Sequence, residues 1–451
     1  MTKAVAVSAG MLRPKKGDES YRKAHRYLNY GLLSLASSLP IRVPVFHGHF
    51  SAPEDFVECH KEVASADILL LSLPSFYAVP WAKRFLIALK RANPDVEVHV
   101  GGRWVVDHNE AFLKKELPHV AQYHKGLGEG AIADLASTFE GSSAQRPEHA
   151  KKTPLDYSLL HDATDFQPSV EVSRGCGLGC AFCEEAAVPL QPLRDTIDLF
   201  GEIEKTRLFY SRDCRFYFES SFFAPSQTWV SLFEKEYRKR QCDFQWRTES
   251  RVDVLDESKI EALASAGLRV IDLGLESGSP DQLINMGKTR DPDRYLKRAS
   301  DLIRACNNHG VRAKVNILLY PGETERSLQE TYQFLDQHED YIFGVSTYPV
   351  VVYGEGERRK YFEGLYRKQG ATGLVKTKTV GVWDVNLSKE INSEEAKLIA
   401  TSVAQRFMSM SNYFYLKKFS YFREGYGWQQ FVEDVSALPD CQLAFAREAR
   451  V

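Results

Sequence analysis

Along residues 1–140, short apolar runs alternate with stretches in which apolar side chains recur every three or four positions. KAVAVSAG, IRVPVF, DILLLSLP and VEVHVGG read as strands, and YLNYGLLSLASSL, APEDFVECHKEV and VPWAKRFLIALKRA as helices. Strands that are apolar at successive positions belong to a parallel sheet covered on both faces. The pattern predicts a doubly wound, Rossmann-like α/β domain over 1–145. GLGEGAIADLASTF (126–139) closes it with a Gly-rich turn and a helix. Ligands of such a domain are expected at the carboxyl ends of its strands.

The periodicity then lapses. Residues 146–167 are polar, carry two prolines and read as an interdomain linker. A second βα series starts at PSVEVSRG (168–175) and continues through CRFYFES, DFQWRTES, LRVIDLGLES, RAKVNILLYPG and YIFGVSTYPV. These strands predict a partial (β/α)6 barrel over 168–355, with its chemistry at the carboxyl ends. From 356 the pattern turns charged and helical, which predicts a small, mainly helical C-terminal domain over 356–451. Its aromatic residues, Tyr413, Phe414, Tyr415, Tyr421, Phe422, Tyr426 and Trp428, are expected to pack with one another in preference to walling a pocket.

Composition narrows the function classes. Lys and Arg number 58 and Asp and Glu 60, a net charge of −2. That balance, without a basic extension, argues against a grip on nucleic acid. The most apolar stretch, Ile68–Ala82, is interrupted by Pro74 and Pro80, so no membrane span is expected. RPKK follows the N-terminal apolar run where a signal-peptide cleavage region would lie, and the expected location is cytoplasmic. Eight cysteines in 451 residues are too few for a disulfide scaffold. Cys59, Cys214, Cys242, Cys306 and Cys441 are scattered; the other three fall within eight positions.

Those three, Cys176, Cys180 and Cys183 in RGCGLGCAFC, have C-x3-C-x2-C spacing directly after a predicted strand. Three thiolates on one loop can ligate three irons of a [4Fe–4S] cluster and leave the fourth iron open. Gly175, Gly177 and Gly179 let the backbone wrap closely around it. Zinc is the alternative, but a closed zinc site wants a fourth Cys or His, and the next downstream is Cys214.

C-x3-C-x2-C with Phe182 before the third cysteine resembles the radical S-adenosylmethionine (SAM) superfamily. The resemblance implies that SAM chelates the open iron through its amino and carboxylate groups. One electron then cleaves it to methionine and a 5′-deoxyadenosyl radical. RFYFESSFF is similar to the segment that meets the SAM amino group, with Glu219 and Ser220 as its candidates. In WRTESRVDVLD, Arg251 is the motif residue, and in LGLESGSPDQLINMGK, Glu276 stands where ribose hydroxyls are bound. NILLYPGET resembles a later strand and turn, with Leu319 where a Gly is usual.

An α/β domain ahead of such a core resembles the cobalamin-binding class of the superfamily. The resemblance implies cobalamin contacts at Ser72, Ser75, Phe76, Gly101 and Gly102, and in the loop 126–130 at position 127, Glu129 and Gly130. No D-x-H-x-x-G motif is present, since His108 follows Asp107 without the rest of it, so no histidine is expected on the cobalt. The implied function is a cobalamin-dependent radical SAM methyltransferase, a metal-binding transferase acting on a small molecule or peptide in natural-product biosynthesis. An electron donor such as flavodoxin or ferredoxin is the expected partner. The alternatives are a cobalamin-dependent rearrangement, cyclisation or ring contraction without methyl transfer, a radical SAM enzyme with no cobalamin, and a non-catalytic sensor. A methylthiotransferase should supply three more cysteines in its N-terminal domain, and residues 1–145 hold only Cys59.

Overall fold

The computed structural model describes residues 2–13, 20–131, 134–135, 154–186, 188–211 and 213–447. By contact the chain divides into two units. The first comprises 1–166 with 352–362 and 376–383, and the second 167–351 with 363–375 and 384–451.

In the first unit, strands β1 (Ala4–Ser8), β2 (Val45–His47), β3 (Ile68–Ser72), β4 (Glu97–Gly101) and β5 (Gln122–Tyr123) form one sheet in the order β2-β1-β3-β4-β5. Every pairing is parallel. AVAVS and ILLLS are buried at every position, as the unbroken apolar runs require. The helix Val79–Ala92 buries Val79, Ala82, Phe85, Leu86 and Leu89 on one stripe together with Trp81. Trp81 stacks on Phe85, donates its indole N–H to the Ser51 carbonyl at 2.8 Å, and lies where a Cβ on Gly48 would fall 2.6 Å from its ring. Only glycine lets this helix close against the loop after β2.

The described part of the expected linker, 154–167, is packed structure over 154–166. Tyr157, Leu159, Leu160 and Phe166 are buried, and Leu160 bridges Val45 on the edge strand β2. Asp156 N–H donates to Ser37 Oγ and His161 N–H to the Val45 carbonyl, each at 2.9 Å. The four apolar residues among polar neighbours form a strap over the sheet edge that composition alone conceals. Residues 146–153 of that linker lie outside the described residues.

The second unit is built on six parallel strands in chain order: β6 (Ser169–Glu171), β7 (Arg215–Glu219), β8 (Gln245–Arg251), β9 (Leu268–Glu276), β10 (Arg312–Leu319) and β11 (Ile342–Pro349). Among the described residues β6 and β11 are its edges, so the barrel is partial. The outer face is apolar. Phe218 stacks on Trp246, and both meet Phe233 of the helix Gln227–Lys239. The inner face is polar: Tyr217 and Glu219, Arg247, Glu249 and Arg251, Asp272, then Lys314 and Asn316, at alternate positions.

The C-terminal helices Ser393–Phe407, Met410–Ser420 and Trp428–Ser436 group with the barrel in this unit. Tyr413, Phe414, Phe422, Phe431 and Phe445 form an aromatic cluster, in line with their expected packing role. The region from 351 to 386 adds three short strands, Val351–Tyr353, Gly373–Lys376 and Val382–Asn386, to what the charge pattern marked as helical. Among the described residues no helix is long and apolar enough to cross a membrane.

Candidate active site

The cysteine loop leaves β6 and is closed at its base by backbone hydrogen bonds. Cys176 N–H donates to the Val188 carbonyl at 2.9 Å and Gln191 N–H to the Arg174 carbonyl at 2.8 Å. Gly175, Gly177 and Gly179 have φ of +76°, +68° and +75°, a left-handed conformation at alternate positions that coils the loop tightly. A Cβ on Gly175 would fall 2.1 Å from the Pro189 carbonyl oxygen. Cys180 is buried, while Cys176 and Cys183 are partly exposed. Burial pushes the Cys183 thiol up, against a pull from the Glu185 backbone, and the Cys180 and Cys176 thiols push it further.

A closed zinc site needs four donors on one ion, whereas a [4Fe–4S] cluster spreads three thiolates over three irons. The donor set of this loop fits the cluster.

Arg251 ends β8 beside it. Its Nη1 lies 3.7 Å from Cys180 Sγ, and its Nη2 donates to the Lys288 carbonyl at 2.8 Å. Both Nε and Nη2 hold Asp253, at 2.9 and 3.0 Å. Burial alone would pull the guanidinium pKa down; the Asp253 hydrogen bond and charge reverse this and keep it charged. Phe182 packs edge-on to Tyr320, with Lys288 Nζ 5.9 Å above its ring.

Glu276 ends β9 after a bulge. Asn316 of β10 pairs with Gly274 and Ile317 with Glu276, so Leu275 is the extra residue. Glu276 sits at φ +72°, sparsely populated for a residue with a side chain, and accepts from Lys288 Nζ at 3.0 Å. Tyr295 Oη caps the Gly274 carbonyl at 2.8 Å. At the neighbouring strand ends, Glu219 accepts from Ser169 Oγ at 2.9 Å, and Ser220 Oγ lies 2.7 Å from Ser173 Oγ and accepts from Phe222 N–H at 3.2 Å. The structure thus brings Arg251 to the buried cysteine and links it through Lys288 to Phe182 and Glu276.

Sequence reasoning missed Lys288, Asp253 and Tyr295. Lys288 closes the same LGLESGSPDQLINMGK segment that supplies Glu276, and that position was the signal in the sequence; only the structure shows it 7 % exposed against the carboxylate.

In the first unit, the order 2-1-3-4-5 places its topological switch point between β1 and β3, where such sheets bind ligands. Asn29 Nδ2 lies 3.0 Å from both Ser8 Oγ and Ser72 Oγ at those strand ends, and His47 Nε2 accepts from Asn29 N–H at 2.9 Å. Ser75 caps a short 3-10 turn. Phe76 is fully buried, ringed by Trp104, Phe112 and Tyr353. Gly102 is explained by packing, since a Cβ there would meet Leu73 N at 2.8 Å. Position 127, counted with the glycines of its loop, is a leucine: Leu127 is 64 % exposed. Glu129 is exposed, and beside Gly130 a Cβ would meet nothing within 4 Å. Open backbone at Gly130 and a polar switch point suit a bulky, hydrogen-bonding ligand such as a corrin with its tail.

Residues 170–335 match the family model of the Radical SAM superfamily. The ribosomal protein uS12 methylthiotransferase RimO of Thermotoga maritima is 23% identical over 64% of this chain and 68% of its own length. Among solved structures, the radical SAM methyltransferase TsrM of Kitasatospora setae, with tryptophan substrate and a SAM analogue bound, has a TM-score of 0.58 at 17% identity. That match covers 77% of this chain and 73% of TsrM. The cobalamin-dependent SAM radical enzyme OxsB, with aqua-cobalamin bound, has a TM-score of 0.64 at 15% identity and covers 88% of this chain and 66% of its own. At these identities the likeness is one of fold.

Proposed function

We propose that this chain, a radical SAM enzyme by its 170–335 domain, is a cobalamin-dependent methyltransferase acting on an unactivated carbon of a small molecule or peptide. The observation that carries the reading is the presence in one chain of two parts. One is a glycine-wrapped three-thiol loop on a six-stranded parallel barrel; the other is a separate sheet of order 2-1-3-4-5 with a polar switch point. In this reading residues 168–355 act on SAM and the domain over 1–145 holds cobalamin.

The cluster and SAM supply a carbon-centred radical, and cobalamin supplies the methyl group. The chain's own residues bind and orient. Cys176, Cys180 and Cys183 hold three irons, and Arg251 beside Cys180 places positive charge against the thiolates. Lys288 fixes the Glu276 carboxylate at the bulged end of β9, ready to accept from hydroxyls. Phe182 stands edge-on to Tyr320 on the cysteine side. Ser220, Ser173 and Glu219 offer polar atoms to an amino group at the neighbouring strand ends.

Methylthio transfer, suggested by RimO, is disfavoured because Cys59 is the one cysteine before the triad. The test is anaerobic incubation of the full chain with SAM and a strong reductant. Formation of 5′-deoxyadenosine and methionine supports the reading, and SAM recovered intact with a full iron complement overturns it.

A further inference from the structure

Deeper in the barrel than Arg251, the polar inner face carries a second constellation. Strand register pairs Glu171 with Glu219, Glu249 with Asp272, and Asp272 with Lys314. Phe218 pairs with Thr248, so Glu219 and Glu249 follow at the next step. A row of carboxylates thus crosses β6 to β9 at one level and meets a lysine on β10.

Their partners differ. Asp272 takes both Arg247 and Lys314, which outweigh its burial and hold it below the ordinary carboxylate range. Arg247 lies beside the adjacent rings of Tyr217 and Tyr421, 5.3 Å from each, and donates to the Leu416 carbonyl at 3.2 Å, which closes the floor. Glu171 has Arg174, and Glu219 has the Ser169 hydroxyl. Glu249 accepts from Tyr217 Oη at 2.5 Å through Oε1.

No cation is bonded to Glu249 among the described residues, and its second oxygen stays open. Glu249 is solvent-exposed although protein encloses it, so it faces a lumen inside the barrel. The network is also incomplete beside it: Arg247 Nε, buried, has no acceptor. The open carboxylate oxygen is the feature a substrate cation would fill; the Arg247 N–H, a donor, calls separately for an acceptor.

We infer that Glu249 is the substrate-reading residue of this barrel, and that it selects a substrate bearing a protonated amine. The inference rests on the radical SAM reading of the same barrel and deepens it. Glu249 lies two residues below Arg251, about 7 Å along the strand, so an amine on Glu249 sets the rest of the substrate between the floor and the cysteine loop. Enclosure by protein first, and the Asp272 charge second, push the Glu249 carboxyl up, against the Tyr217 hydrogen bond and the Lys314 and Arg247 charges. An ammonium at the open oxygen would offset both upward pushes. A carboxylate at that oxygen would meet the like charge of Glu249 itself. Tyr217 acts as a positioning residue, fixing the rotamer of Glu249.

The test measures equilibrium binding of benzylamine, benzyl alcohol and benzoate to the anaerobically purified full chain, beside its iron content and SAM cleavage. Benzylamine should bind more tightly than either other probe. Glu249→Gln should weaken benzylamine by roughly tenfold or more, leave benzyl alcohol unchanged, and retain wild-type iron. Glu249→Asp should keep the amine preference. Equal binding of the three probes, preference for benzoate, or unchanged benzylamine affinity in Glu249→Gln overturns the inference. If Glu249→Gln does not fold, the wild-type preference and the Glu249→Asp variant decide it. No amine preference in the wild type, with SAM cleavage intact, sinks this inference alone; absence of iron and of SAM cleavage sinks the reading beneath it.

Discussion

At φ +72°, Glu276 occupies a backbone conformation that costs free energy and survives only where its surroundings enforce it. The bulge at Leu275, the Tyr295 hydroxyl on the Gly274 carbonyl and the Lys288 ammonium supply that enforcement. Glu276→Gln removes one charge of a buried pair whose lysine has nowhere to hydrate, so it should destabilise the chain by about 3 kcal/mol. It should also lower SAM cleavage while leaving iron content intact; unchanged cleavage would remove Glu276 from the site. At Gly175 any side chain collides with the Pro189 carbonyl. Gly175→Ala should cost about 1–3 kcal/mol and lower iron per chain, and a full iron complement would show that the loop tolerates it. Replacing Cys176, Cys180 and Cys183 together with Ala should abolish the cluster's visible absorbance, whereas a surviving chromophore would place the metal elsewhere.

Among the elements, strands were the most legible in the sequence, and two kinds of strand were legible for different reasons. ILLLS declares a strand buried on both faces, and β8 and β10, QWRTESR and RAKVNILL, alternate and so announce one polar face. That polar face is the barrel lumen, and the alternation marked it even though the residues there bear no motif. The strap at 154–166 and the strands from 351 to 386 were illegible because their stability comes from contacts with distant segments. The turn after β10 carries its own titration. Burial pushes Glu323 up to about 7, against a hydrogen bond from Ser327. Because the folded value is raised, its contribution to stability is complete below the ordinary carboxylate pKa and is lost as pH rises through about 7. Glu323→Gln should therefore gain on the wild type, by on the order of 3 kcal/mol, between pH 5 and pH 9 in denaturant titrations. Parallel stability curves for the two proteins would contradict that assignment.

For the whole molecule, the cysteine spacing made the second unit recognisable, because cluster chemistry fixes residue type and interval together. The cobalamin assignment had no such signature. Its residues were chosen from strand ends, and they proved to be a mixture: Ser72 sits in the switch-point cluster, Phe76 is core, and Gly102 serves packing. The fold likeness to TsrM and OxsB extends over 77% and 88% of the chain and leaves the ligand of that unit as the central claim. The measurement that tests it most directly is iron and cobalt content per chain after anaerobic purification with cobalamin supplied. The account predicts about four irons and one cobalt. Four irons without cobalt would contradict it and make the first unit a scaffold.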